Sequence, residues 1–134
     1  MRKMAIKFNV QNARCPARSV LAKIADKWAV LVLEVLLERT TRFNEIRRRV
    51  QGVSQKMLTQ TLRDLERGGL VSREIFAEVP PRVEYSLTPL GRSLVAVLET
   101  VTDWAEAHTQ QVLDAQKKFD QRKANETVRT AARA

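Results

Sequence analysis

Between Ser54 and Arg67 the segment SQKMLTQTLRDLER carries two helical stripes at once, and no other stretch constrains the fold as tightly. Leu58, Leu62 and Leu65 recur at i, i+4 and i+7, the spacing of one apolar helix face. Lys56, Thr59, Gln60 and Arg63 recur at i, i+3, i+4 and i+7 on another face. Those side chains hydrogen-bond base edges and phosphates. Ser54 is placed to cap the first turn by accepting a backbone N–H. Gly68–Gly69 ends the helix, because glycine accepts the left-handed conformation required just past a helix end. Taken alone, this is an ordinary amphipathic helix with a solvated polar side. The flanking segments change that reading.

Pro16 suits a first helical turn, and Val20, Leu21 and Ile24 behind it form a short amphipathic pattern. A second helix is expected over Trp28 to Glu38, apolar almost all round and therefore buried on most sides. Phe43 to Val50 (FNEIRRRV) predicts a short third helix, with Asn44 as a candidate cap and Phe43, Ile46 and Val50 facing inward. After the glycines the period changes. Leu70 to Phe76 reads as a strand, Val79–Pro80–Pro81–Arg82 as a stiff turn, and Val83, Tyr85 and Leu87 alternate as a second strand. Thr88–Pro89 marks another helix start, cap followed by proline. Leu90, Leu94, Val97, Leu98, Val101, Trp104 and Ala105 then hold a stripe over four turns. Four helices, a two-stranded wing and a long last helix predict a mainly α chain with a small β-hairpin wing, a winged helix-turn-helix. In it the third helix supports and the fourth reads a DNA groove. The expected organisation is a basic arm over residues 1–14, the domain over 15–108, and a polar basic extension over 109–134. That extension is expected to be partly helical or disordered, with a frayed end.

Composition narrows the function classes. At 134 residues and 44% hydrophobic the chain can bury a core, and its formal charge of +9 favours a polyanionic partner. The longest apolar run, Trp28 to Leu33, falls far short of the roughly 20 residues that cross a bilayer, so no membrane partner is expected. The N-terminus lacks the continuous hydrophobic region of a secretory signal. One cysteine, Cys15, excludes an internal disulfide and fits a reducing cytoplasm. With His108 as the one histidine, zinc sites of four cysteines or of two cysteines and two histidines are excluded within a subunit. Gly68–Gly69 lacks the pattern of a phosphate loop, and no convergent acid pair is present. No metal, cofactor or enzymatic activity is expected.

Several motifs in order then resemble one family. Cys15–Pro16, IADKWAVLVL, TRFNEIRRRVQGVSQKMLTQTLRDLERGGLVSR and EVPPRVEYSLTPLGRSL together resemble the HxlR-type winged-helix transcriptional regulators, from about Cys15 to His108. RVEYSLTPLG, at the junction of wing and last helix, is the most specific of them. The resemblance implies a cytoplasmic homodimer that binds double-stranded DNA and represses or activates nearby genes. Its subunits would pair through the first and last helices, which here means Val20, Leu21 and Ile24 with Leu94, Val97, Leu98, Val101 and Trp104. Some members respond to oxidants or electrophiles through a cysteine just before the first helix, the place of Cys15.

The candidate DNA contacts follow from both lines. Ser54, Gln55, Lys56, Thr59, Gln60 and Arg63 form the reading face, with Lys56 and Arg63 suited to guanine edges or phosphates and Gln60 to adenine. Arg42, Arg47, Arg48 and Arg49 flank the supporting helix, where phosphates pass, and one or two of them, Arg42, Arg47 and Arg48 foremost, are expected to make phosphate contacts. Arg73, Pro81 and Arg82 belong to the wing, a rigid tip with cations suited to phosphate or the minor groove. Arg82 could equally pair with Glu78 or Glu84. Cys15, beside Arg14, Arg18 and a helix start, is either a redox switch or a small residue packed in the dimer seam. Trp28 and Trp104 read as core and dimer packing, and His108 as a surface residue. A small-molecule effector, if one binds, would sit between the first, second and last helices. The competing readings are a winged-helix protein-interaction module and a regulator controlled by a non-covalent ligand.

Overall fold

The computed structural model describes residues 7–133, so the first six residues of the basic arm lie outside the described residues. Eight elements follow in order: α1 (Pro16–Ile24), α2 (Lys27–Glu38), β1 (Thr41–Arg42), α3 (Phe43–Arg49), α4 (Gln55–Arg67), β2 (Val71–Phe76), β3 (Arg82–Leu87) and α5 (Pro89–Arg133). The chain divides into two compact units, one ending at Leu98 and one beginning at Glu99. The first unit is a winged helix.

Its core rests on α2 and α4. The Asp26 side chain accepts hydrogen bonds from the Trp28 and Ala29 backbone N–H groups and starts α2. Ala29, Val32, Leu33, Val35 and Leu36 are buried, while Leu31 stays exposed, so this apolar helix keeps one side open. Leu58, Leu62 and Leu65 of α4 are buried against it, with Ile46 of α3, Val71 and Leu87 of the sheet, and Val95 and Leu98 of α5. Burying such side chains contributes roughly 1.5–3 kcal/mol each, which fixes the orientation of α4.

The strand content exceeds the expected hairpin. Thr41 and Arg42 pair antiparallel with Tyr85 and Glu84, so the sheet has three strands in the order β1-β3-β2. Two residues carry no readable period, and this edge strand shows itself only through its partner. Asn44 does not cap α3: it lies inside the helix, and Arg42 holds the cap position without a side-chain hydrogen bond. Pairing of Arg42 in β1 sets the helix start two residues earlier than Asn44 would have placed it.

Two glycines are dictated by geometry. Gly69, at φ 74°, closes α4 while the Gly69 and Leu70 N–H groups donate to the Glu66 and Leu65 carbonyls. A Cβ on Gly91 would lie 2.1 Å from the Leu70 carbonyl oxygen. Only a glycine lets the first turn of α5 meet the chain entering β2. Thr88 secures the same junction by donating to the Gly69 carbonyl and accepting from the Gly91 N–H.

The second unit is helical throughout to Arg133, where a partly helical or disordered tail was expected. The apolar stripe thins after Phe119, but no glycine or proline follows Gly91 and the segment is rich in Ala, Gln, Lys, Glu and Arg. These residues have high intrinsic helix propensity. Thr109, Thr127 and Thr130 return their hydroxyls to carbonyls one turn back, at Ala105, Lys123 and Glu126. Among the described residues no helix is long and apolar enough to cross a membrane.

Candidate nucleic-acid interface

Helix α4 presents the expected polar row. Ser54 caps it, its Oγ accepting from the Met57 N–H at 3.1 Å. Gln55, Lys56, Thr59, Gln60 and Arg63 are all exposed on the side away from the leucines. They differ in how free they are. Thr59 donates its hydroxyl to the Gln55 carbonyl at 2.8 Å, and Gln60 donates its amide to Asp64 at 3.1 Å. Ser54 spends its oxygen on the cap. Among the described residues, Lys56 and Arg63 have neither an ion pair nor a hydrogen bond, so their cations are uncommitted.

Helix α3 adds a cationic concavity. Arg42, Asn44, Glu45, Arg47 and Arg48 line an open hollow of about 730 Å³. Arg47 and Arg48 are exposed and unpaired among the described residues. Arg49 points elsewhere: it holds Glu38 at 2.8 Å. That contact pulls the Glu38 carboxyl below its usual range, mainly through the hydrogen bond from Arg49, and raises the Arg49 guanidinium in turn.

The wing is less free than its arginines suggest. Arg73 Nε lies 3.1 Å and 3.2 Å from the two Glu66 oxygens, tying β2 back to α4. Arg82 is paired with Glu78 and with Glu84, each at 3.2 Å, and its guanidinium lies 4.0 Å from the Phe76 ring centre. Both partners named as alternatives to DNA are therefore engaged. Pro81 is exposed at the tip, which contains a cis Val79–Pro80 bond. Tyr85, between β1 and β2 in the sheet, has its phenol pushed above the usual range, chiefly by burial.

The residues assigned to subunit pairing separate into two groups. Leu98 is buried in its own subunit's core, and Leu94 packs on that core. They support the subunit's own fold, joining Val95 in the core. Val97, Val101 and Trp104 remain 58–61% exposed. Val20 and Leu21 are exposed and Ile24 is half-buried, and α1 buries no residue at all. His108 is half-buried rather than fully exposed. Its ring stacks on Trp104 at 4.7 Å and its Nδ1 lies 2.8 Å from the Trp104 carbonyl oxygen. Cys15 is half-buried at the cap position of α1, and its carbonyl accepts from the Arg18 N–H.

Two carboxylates, Asp64 and Glu66, were missed from the sequence, whereas Glu78 and Glu84 were named there as possible partners of Arg82. Asp64, Glu66 and Glu84 each hold a candidate DNA-contacting side chain. Of these three, Glu84 left a signal, two positions from Arg82 on one strand face.

Residues 23–113 match the model of the HxlR-like helix-turn-helix family. The chain belongs to that family. An HTH-type transcriptional regulator, YtfH of Escherichia coli (strain K12), is 44% identical over 105 residues, covering 78% of this chain and 83% of that protein. The solved structure of the transcriptional regulator ytfH from Salmonella typhimurium is 41% identical, covers 83% of this chain and 99% of its own, and superposes with a TM-score of 0.79. The redox regulator HypR in its oxidized form is 41% identical, covers 69% and 96%, and reaches a TM-score of 0.64. This HxlR-like chain is thus a transcriptional regulator of helix-turn-helix type with a winged-helix fold.

Proposed function

We propose that the protein is a sequence-specific DNA-binding regulator that works as a homodimer, in the cytoplasm where such a function is exercised. The observation that carries this reading is the row Gln55, Lys56, Thr59, Gln60, Arg63 on a helix anchored behind by three buried leucines. A rigid helix with outward donors suits the major groove, and the arginines of α3 suit the phosphates alongside it. Pairing through α1 and α5 brings two such helices onto successive groove turns, about 34 Å apart. The exposed apolar residues Val20, Leu21, Val97, Val101 and Trp104 support that pairing. Selection of bound fragments from a random DNA pool tests the reading. A two-fold symmetric site is expected, with affinity falling steeply with salt because counterions are released. A failure to enrich any sequence, together with salt-independent retention, would favour a protein-interaction module instead.

The effector reading rests on Cys15. Its place at the start of a helix with no buried residue, and the redox regulator HypR among the similar structures, support a thiol switch. One cysteine per subunit permits an intersubunit bridge, which requires Cα atoms within about 7 Å, or a mixed adduct. Oxidant treatment of wild type and Cys15→Ser tests this: wild-type operator affinity should change and the variant's should not. An identical response of both proteins would make Cys15 a packing residue and leave control to a non-covalent ligand.

A further inference from the structure

The outer face of the sheet is built around one carboxylate. Glu84 on the central strand β3 lies opposite Arg42 of β1 and Glu74 of β2 in the strand register, while Arg82 faces Phe76 two pairs further toward the tip. Glu84 Oε1 is 3.2 Å from Arg82 Nε and 3.8 Å from Arg42 Nε. The Arg82 and Glu84 side chains are only 26% and 24% exposed. Arg82 Nε is buried and makes no hydrogen bond among the described residues, so the Phe76 ring and the carboxylates beside it hold the guanidinium. The hairpin carries three carboxylates, Glu74, Glu78 and Glu84, against two arginines, Arg73 and Arg82. In a chain of net charge +9 this hairpin is locally self-neutralised.

A phosphate and a carboxylate compete for the same guanidinium, since both are planar-forked or tetrahedral oxyanions that accept its N–H donors. Glu84 occupies two candidate phosphate-binding arginines at once, one on the supporting segment and one on the wing. We infer that Glu84 is an affinity-setting residue of the DNA interface, holding Arg42 and Arg82 back from the phosphate backbone and thereby limiting sequence-independent binding. This rests on the DNA-binding reading above. Glu84 touches no base or phosphate itself; it acts through the two arginines.

The test uses the full-length protein and a random-sequence duplex, titrated by fluorescence anisotropy over a salt series. Glu84→Gln keeps the shape and removes the charge. It should tighten binding by about fivefold at low salt and steepen the slope of log K against log[salt] by about one, the signature of an added phosphate contact. Glu106→Gln, on α5, measures the general effect of losing one negative charge and should change neither quantity by as much. In an Arg42→Ala/Arg82→Ala background, Glu84→Gln should give no gain beyond that of Glu106→Gln. Circular dichroism confirms that each variant is folded, and Glu78→Gln, which removes one of the two carboxylates on Arg82 and leaves Arg42 untouched, supplies a second variant with a smaller gain. Weaker binding by Glu84→Gln would mean that the carboxylate orients the arginines for DNA and would overturn the inference. So would an equal gain in the arginine-free background. If the wild type shows no salt-dependent DNA binding at all, the DNA-binding reading falls first and this inference with it.

Discussion

Replacing Arg63 by alanine removes an uncommitted cation from the outer face of α4, and the structure separates its effect on DNA from its effect on folding. Arg63 is exposed, makes no ion pair among the described residues, and lies away from Leu58, Leu62 and Leu65. A surface substitution of this kind shifts folding stability by no more than about 0.5 kcal/mol. A lost base contact costs about 1–3 kcal/mol, roughly five- to 150-fold in Kd. Gln60→Ala should cost less. Its amide is already bonded to Asp64 at 3.1 Å, and reaching a base means giving up a hydrogen bond worth about 0.5–1.5 kcal/mol. Anisotropy titration of a selected operator and of a random duplex gives both numbers. The expected order of loss is Arg63→Ala above Gln60→Ala on the operator, with the operator affected more than the random duplex. Unchanged operator affinity for Arg63→Ala would refute the reasoning. So would a loss matched by a fall in Tm of several degrees, since that would place Arg63 in the fold rather than at the interface.

Three further outcomes are expected. Gly91→Ala gains about 1 kcal/mol of helix propensity but drives a Cβ to 2.1 Å from a backbone oxygen, and the clash wins; thermal unfolding should show a Tm lowered by several degrees, and an unchanged or higher Tm would contradict the close approach of α5 to β2. Val101→Glu with Trp104→Glu places two charges on a face now more than half exposed, so light scattering should report a monomer or an aggregate, whereas a well-folded dimer would move the pairing surface off α5. Tyr85 is the single tyrosine, so its phenolate absorbance titrates without interference, and its midpoint should lie above the usual tyrosine value because burial disfavours the charged form. Its folded pKa exceeds the unfolded one, so the unfolded chain loses the proton first and stability declines as pH rises through the unfolded value, near 10; a midpoint at or below that value would place the ring in solvent.

What the sequence disclosed and what it withheld follow one division. Periodic burial was legible: the leucines of α4, the apolar run of α2, the alternation of β3 and the Thr88–Pro89 start of α5 all repeat a pattern that one face of an element imposes. Chain punctuation was legible too, because Gly69 and Pro16 have few conformational options. The edge strand β1 was not, since two residues make no period. The length of α5 was not, because its distal part is held by propensity and local hydrogen bonds rather than by an apolar stripe. The exposure of the reading face could be anticipated residue by residue, but its freedom could not. Whether a polar side chain is available depends on neighbours brought close by register and by helix turns.

That last point changes how the interface is to be understood. Counting cations along the sequence gives Arg42, Arg73 and Arg82 the same standing as Lys56, Arg47, Arg48 and Arg63. In the fold the first three carry carboxylate partners and the other four carry none among the described residues. Of these seven, the free cations lie on α3 and α4 and the paired ones on the sheet. Under the proposed function, attraction of a polyanion would therefore begin at the helices, and the sheet would contribute only when DNA displaces a carboxylate. Such a surface would bind weakly wherever the helices alone engage and more tightly where the backbone path also reaches the wing. The wing would then discriminate by the shape of the DNA as well as by its charge, a form of readout that needs no base contact.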